Sequence, residues 1–248
     1  MGLAATPEQQ ADFFFHAFET FSRQYNRLRL LISGAADYSI LAHVIQACTA
    51  HNLHANITVL DACDTPLFLN NWYADRVGHR IETVRADIFE YHTAFPFDVV
   101  CAHSFLGQFP PLRRAELMDK WRHLLNPGGS ILNINRIRPV STQHKVKFGP
   151  VEADVFRAKV LQKAAELPPR LRPDLREFAE RLETYLQRLH VYAISADDIT
   201  ALFMKNGFRI DRFALVASAN LADRNLSGLA IPKDAEHACV IATKQSSI

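Results

Sequence analysis

The chain reads as a doubly wound α/β domain, and three observations point there. From residue 28 to residue 135, short apolar runs alternate with stretches of helical periodicity. The first run, residues 28–33, closes in a small-residue turn, Gly34-Ala35-Ala36-Asp37. The second, residues 57–60, closes in an acid, Asp61. A strand, a tight turn, a helix and a second strand ending in an acid form the first half of a nucleoside-binding α/β unit. The turn admits the ligand to the backbone, and the acid accepts hydrogen bonds from ribose hydroxyls.

The elements follow in order. Residues 7–27 read as a helix with an aromatic face (Phe13, Phe14, Phe15, Phe18, Phe21, Tyr25), with Thr6 as its cap and Pro7 at its first position. Residues 38–51 form the next helix, with Ile40, Leu41, Val44, Ile45 and Cys48 on one face. A helix over 66–77 leads to a third strand at 81–85, and 98–102 is strand four, continuously apolar from Val99, as in a strand covered on both sides. Residues 111–125 form a helix stopped by Asn126-Pro127-Gly128-Gly129, and 130–135 is strand five. The alternation then breaks. Two amphipathic helices, 151–166 and 174–190, form an insertion over the end of the sheet, the second lined by Leu175, Phe178, Leu182, Tyr185, Leu186 and Leu189. Ser195-Ala-Asp-Asp198 resembles a capping box opening a helix that stops at Gly207. Strands at 208–216 and 238–243, joined by a long polar loop, close the chain. The whole, 1–248, is expected to be one domain, with 1–27 as a helical cap and 144–192 as a helical insertion or lid.

Composition bounds the function. With 248 residues, 48% of them hydrophobic, the chain can bury a substantial core. A net charge of +2 argues against an electrostatic nucleic-acid binder. Cys48, Cys63, Cys101 and Cys239 form no C-x-x-C pair, and three lie in apolar runs, so reduced thiols in a cytoplasmic protein are expected. The N-terminal residues lack the basic-then-apolar order of a signal peptide, and no apolar run approaches a membrane span. No metal-ligand spacing, Ser nucleophile elbow or Walker-type loop is found.

Ligands of such sheets lie beyond the carboxyl ends of the strands, beside strand one. The candidate residues are therefore Gly34, Ala35, Ala36 and Asp37; Asp61 and Ala62; Asp87 and Ile88; His103 and Ser104; and Asn135 and Arg136. These strand ends resemble the motifs of class I S-adenosylmethionine-dependent methyltransferases from Leu28 to Thr243. Gly34 matches the first glycine of the family's Gly-x-Gly-x-Gly turn, while Ala36 and Tyr38 stand for the second and third, and Ile32 for its usual acid. Asp61 matches the ribose acid, and Arg85-Ala-Asp-Ile88 the segment that meets adenine. Phe97–Leu106 looks like strand four and its loop, Leu124–Gly129 the entry to strand five, and Ser195–Arg212 the last helix and strand six.

The resemblance implies a seven-stranded Rossmann-like methyltransferase sheet, S-adenosylmethionine as cofactor, S-adenosylhomocysteine as product and a small-molecule substrate. Asp61 would hold the ribose, Asp87 the adenine amino group, and Ile88 would pack on the ring. The competing role of either acid is a cap. Methyl transfer from a sulfonium needs positioning, and a base only when the nucleophile is protonated. His103 is the candidate base or a cofactor contact, and Asp37 could replace the missing acid at Ile32. His16, Tyr25, Asn135 and Arg136 are candidate substrate contacts. The aromatic first helix suits core packing, a substrate lid or a homodimer interface. The alternative function is a non-catalytic nucleoside-binding or protein-interaction module, which the altered glycine turn favours. A nicotinamide dehydrogenase would want G-x-G-x-x-G, which is absent.

Overall fold

The computed structural model describes residues 10–137, 145–147, 149–188, 190–217 and 236–245. Five parallel strands run as β1 (Arg27–Ser33), β2 (His54–Asp61), β3 (Ile81–Arg85), β4 (Phe97–His103) and β5 (Leu125–Arg136). A short pair, β6 (Lys145–Val146) and β7 (Val191–Tyr192), stands apart, and β8 (Phe208–Ala217) and β9 (Glu236–Lys244) return antiparallel. The seven-stranded sheet has the order β3-β2-β1-β4-β5-β9-β8. The order reverses at β1, between β1 and β4, and doubly wound sheets generally place their ligands at such a reversal.

One face of the sheet carries α1 (Ala11–Gln24), α2 (Ser39–Ala50) and α3 (Asp64–Val77), packed on Leu28, Leu30, Ile32, Val99, Cys101, Leu132, Ile134, Cys239 and Ile241. The other carries α4 (Pro111–Leu124) and α7 (Ala196–Lys205), on Leu31, Val100, Ile131, Val240 and Ala242. Phe13, Phe14, Phe18 and Phe21 of α1 are all buried in the first core. Each such ring contributes about 2 kcal/mol by leaving water. The aromatic stripe is thus core, with Phe15 as its exposed member. The helix is shorter than expected because Tyr25 is already extended on its way into β1, and Thr6 and Pro7 lie outside the described residues.

The largest departure from the sequence expectation is strand five. Leu125 pairs with Phe97, and after a bulge Ser130 pairs with Val99. Asn126–Gly129 is therefore an irregularity within β5 rather than a turn before it. It is held by Asp98, whose Oδ1 accepts from Asn126 Nδ2 (2.8 Å) and whose Oδ2 accepts from the Arg29 N–H (2.8 Å). A Cβ on Gly129 would meet the carbonyl oxygens of Asn126 and Asp98 at 3.0 Å, which explains the glycine. Strand two begins at His54, earlier than its apolar run, because backbone pairing with β1 does not require apolar side chains. α3 starts at Asp64, with Cys63 as its cap residue.

The insertion consists of α5 (Pro150–Ala165) and α6 (Leu175–Arg188), packed through Val160, Leu182, Leu186, Phe156 and Phe178. Leu175 and Tyr185 are exposed instead of inward, and Leu189 lies outside the described residues. The β6–β7 pair, too short to show periodicity, joins the entrance and exit of the insertion. The capping box of α7 is present, with Asp198 N–H donating to Ser195 Oγ (3.1 Å) and Ser195 N–H to Asp198 Oδ2 (3.1 Å). No helix among the described residues is long and apolar enough to cross a membrane.

Buried Arg114 ties the insertion's exit to the chain after β4. Its Nε donates to the carbonyls of Leu106 and Phe109, and its Nη2 to those of Tyr192 and Ala193, at 3.0–3.2 Å. Arg114→Met leaves these carbonyls without their charged donor. We expect a loss of about 3 kcal/mol in urea unfolding, with only partial rescue by Arg114→Lys, because an ammonium cannot reproduce the planar fork.

Candidate functional site at the carboxyl ends of the strands

The chain leaves β1 through Gly34, at φ +76°, and Gly34 N–H donates to Leu60 O (2.9 Å). A Cβ at Gly34 would lie 2.4 Å from the Phe105 ring, so this residue is held glycine by torsion and by contact. Ala36 is not among the positive-φ residues, and Tyr38 has φ −81°. The turn therefore needs one glycine, and the two replacements carry no torsional strain. Tyr38 uses its ring elsewhere, stacked on Tyr73 at 4.9 Å beside Trp72.

Asp61 braces this turn. Oδ2 accepts from Ala35 N–H (2.9 Å), Oδ1 from Cys63 N–H (2.8 Å), and its carbonyl from Ala86 N–H (3.1 Å). Each carboxylate oxygen has a second lone pair, so a half-buried, already oriented Asp61 can still accept from a ligand diol. Asp37 Oδ1 accepts from Ser39 N–H (2.7 Å) at the start of α2, and Ala36, Asp37 and Ala62 are exposed. Asp87 is exposed with Oδ1 bonded to Phe89 N–H (2.9 Å), while Ile88 is buried in the second core with Leu60 and Leu106. The side chain of Ile88 is thus spent on packing rather than presented to a ring.

Beyond β4 and β5 lies a cluster of basic groups. Side chains alternate along a strand. His103, Arg136 and His237 accordingly follow Cys101, Ile134 and Cys239 onto the α1/α2 face. Arg136 is opposite His237 in register, and the His103 and His237 rings stack at 5.9 Å. His103 Nε2 and Arg136 Nε are buried without a hydrogen-bond partner. Burial lowers the His103 pKa to about 4, Arg136 and His43 push the same way, and only Asp37 opposes them. Burial also lowers the Arg136 pKa. Ser104 follows in the left-handed region at φ 52°, its N–H donating to Ile134 O (2.7 Å), which turns the chain sharply toward Phe105.

Three expected substrate contacts are elsewhere. Tyr25 precedes β1, and its hydroxyl pKa is raised by burial and by Asp98 at the amino end of β4. It is therefore the length of β1, seven residues and about 23 Å, from Gly34. His16 is exposed, with Nδ1 2.6 Å from Asp12 O in its own helix. Asn135 points to the face opposite Arg136, its Nδ2 donating to Arg136 O (2.9 Å), so the pleat separates the two. Sequence reasoning missed Phe105, His43 and His237. A histidine opening the last strand was the available signal for His237, but its register was not readable. Among the described residues, no group of His, Cys, Asp and Glu is placed to hold a metal ion.

Gly34→Ala should weaken folding and cofactor binding together, and adding Phe105→Ala should restore the part due to the clash but not the part due to φ. A double-mutant cycle in urea would measure both, with each part expected at about 1–3 kcal/mol. A second expectation concerns pH. The folded protein keeps His103 neutral down to about pH 4, while a free imidazole protonates near 6.5. Between these values the unfolded chain binds the extra proton, so stability falls as the pH drops from 6.5 to 4, by roughly 3 kcal/mol. His103→Gln should flatten that part of the stability profile.

No protein-family model matches the chain, and no curated protein matches it. Solved structures do. Magnesium protoporphyrin IX methyltransferase from Synechocystis PCC 6803, with bound S-adenosylhomocysteine, is 12% identical, covers 97% of this chain and 85% of its own, and superposes with a TM-score of 0.56. The Burkholderia thailandensis 1,6-didemethyltoxoflavin-N1-methyltransferase, with its substrate and S-adenosylhomocysteine, is 12% identical over 94% of this chain and 79% of its own (TM-score 0.54). The cyclase SpnF is 14% identical over 98% and 84% (TM-score 0.59). With its sheet order and strand-end turns, the chain has the Rossmann-like fold of the class I S-adenosylmethionine-dependent methyltransferases.

Proposed function

We propose that the protein binds S-adenosylmethionine at the ends of β1 to β3 and transfers its methyl group to a small-molecule acceptor held at the ends of β4 and β5. The observation that carries this is the Asp61 clamp on a left-handed Gly34, beside β4 at the point where the strand order reverses. It unites an oriented ribose acceptor with a turn that admits a ligand to the backbone. Neighbours of this fold that were solved with S-adenosylhomocysteine support the same cofactor.

The bound cofactor would supply an activated methyl, its carbon–sulfur bond breaking with the electron pair left on sulfur as the acceptor's lone pair bonds to carbon. The chain's part is positional. Asp61 would accept from the ribose hydroxyls, and the free Oδ2 of Asp87 from the adenine amino group. His103, neutral at physiological pH, would hydrogen-bond the acceptor and so orient it toward the methyl group. A pKa of about 4 makes it a weak base, and positioning is its stronger role.

A second reading, nucleoside binding without methyl transfer, has one observation in its favour: the cyclase SpnF has this fold. Calorimetry with S-adenosylhomocysteine and S-adenosylmethionine tests the binding common to both. We expect saturable binding, weakened about 10–100-fold in Asp61→Asn, which keeps shape but loses a charged acceptor. No binding by the folded protein would reject the methyltransferase reading.

A further inference from the structure

The basic cluster on β4, β5 and β9 is more than a methyl-transfer site requires. Arg136 is half-buried, has an orphaned Nε, and pairs with no carboxylate among the described residues. Next to it are two imidazoles, His103 and His237, with His43 also near His103. Asp37 is the one acid that acts on His103, and it lies across the cleft on the β1 turn. Withdrawing a guanidinium from water without an anion is costly, and an anion bound against it offsets that cost. The unpartnered Nε2 of His103 and Nε of Arg136 lie at the ends of adjacent strands on one face of the sheet.

From this we infer that the ends of β4, β5 and β9 form a carboxylate-binding pocket, with Arg136 and His103 as its donors, that selects an acidic methyl acceptor. The inference rests on the methyl-transfer reading for its occupant. The carboxylate could come from two sources, the acceptor or the methionyl end of the cofactor. Topology favours the acceptor. Gly34, Asp61 and Asp87 assign the cofactor to β1, β2 and β3, whereas Arg136 is on β5, two strand spacings or about 10 Å from β1. His237 is one strand further still. An Arg–carboxylate contact here would be charge-assisted at both partners.

Benzoate, with benzamide as its uncharged analogue, is a direct probe, titrated into the full chain in the presence of saturating S-adenosylhomocysteine and followed by NMR shifts. Benzoate is expected to bind at least about 10-fold more tightly than benzamide and to lose that preference in Arg136→Met, whose fold is checked by circular dichroism. His103→Gln, which still donates from its amide, should keep part of the preference. Equal affinity for both probes, or no binding of either, would overturn the inference. Affinities for S-adenosylhomocysteine and for methylthioadenosine, which lacks the amino-acid end, separate the sources. If Arg136→Met weakens only the former, the pocket holds the cofactor's carboxylate and the acceptor assignment falls. Benzoate selectivity in a protein that binds no S-adenosylhomocysteine would leave the pocket standing and reject methyl transfer instead.

Discussion

The Asp61 carboxylate and its own carbonyl join three chain ends that reach the same point from separate strands. Ala35 after β1, Cys63 before α3 and Ala86 after β3 all donate to this one residue. Parallel strands need long crossovers, so their carboxyl ends have no hairpin to align them. A shared acceptor does that work locally. The same hydrogen bonds hold the Asp61 carboxylate in one orientation. The left-handed Gly34, the Phe105 ring against it and the Asp37 carboxylate that accepts from Ser39 N–H are arranged around that brace.

The two faces of the sheet carry different duties. On the α4/α7 face, polar groups serve structure: buried Trp121 donates to Ser33 Oγ (3.0 Å), and Arg114 gathers four carbonyls. On the α1/α2 face, the strand ends carry His103, Arg136 and His237, two of which keep buried nitrogen atoms without a partner. Unpartnered buried polar atoms cost free energy, and here that cost falls at the carboxyl ends of the strands. Burial also holds His103 neutral, which suits a group that accepts or donates a single hydrogen bond rather than one that carries charge.

The sequence alone determined the five parallel strands and the four helices that precede or separate them, the capping box at Ser195, the glycine at the β1 turn and the acids at 61 and 87. All of these are short-range properties: periodicity, cap chemistry and φ preference act within a few residues of their cause. The family resemblance counted two glycines as replaced, at Ala36 and Tyr38, whereas the turn uses positive φ only at Gly34. It placed Asn135 and Arg136 together, although the pleat sends them to opposite faces. It set Tyr25 in the site, although α1 delivers that residue to the amino end of β1. Only tertiary structure decided the cluster of His103, Arg136 and His237. These residues are distant in sequence, and they meet because β9 inserts antiparallel beside β5 in the single register that sets His237 opposite Arg136. A slip of one residue would turn the His237 side chain to the other face, and no local pattern encodes that choice.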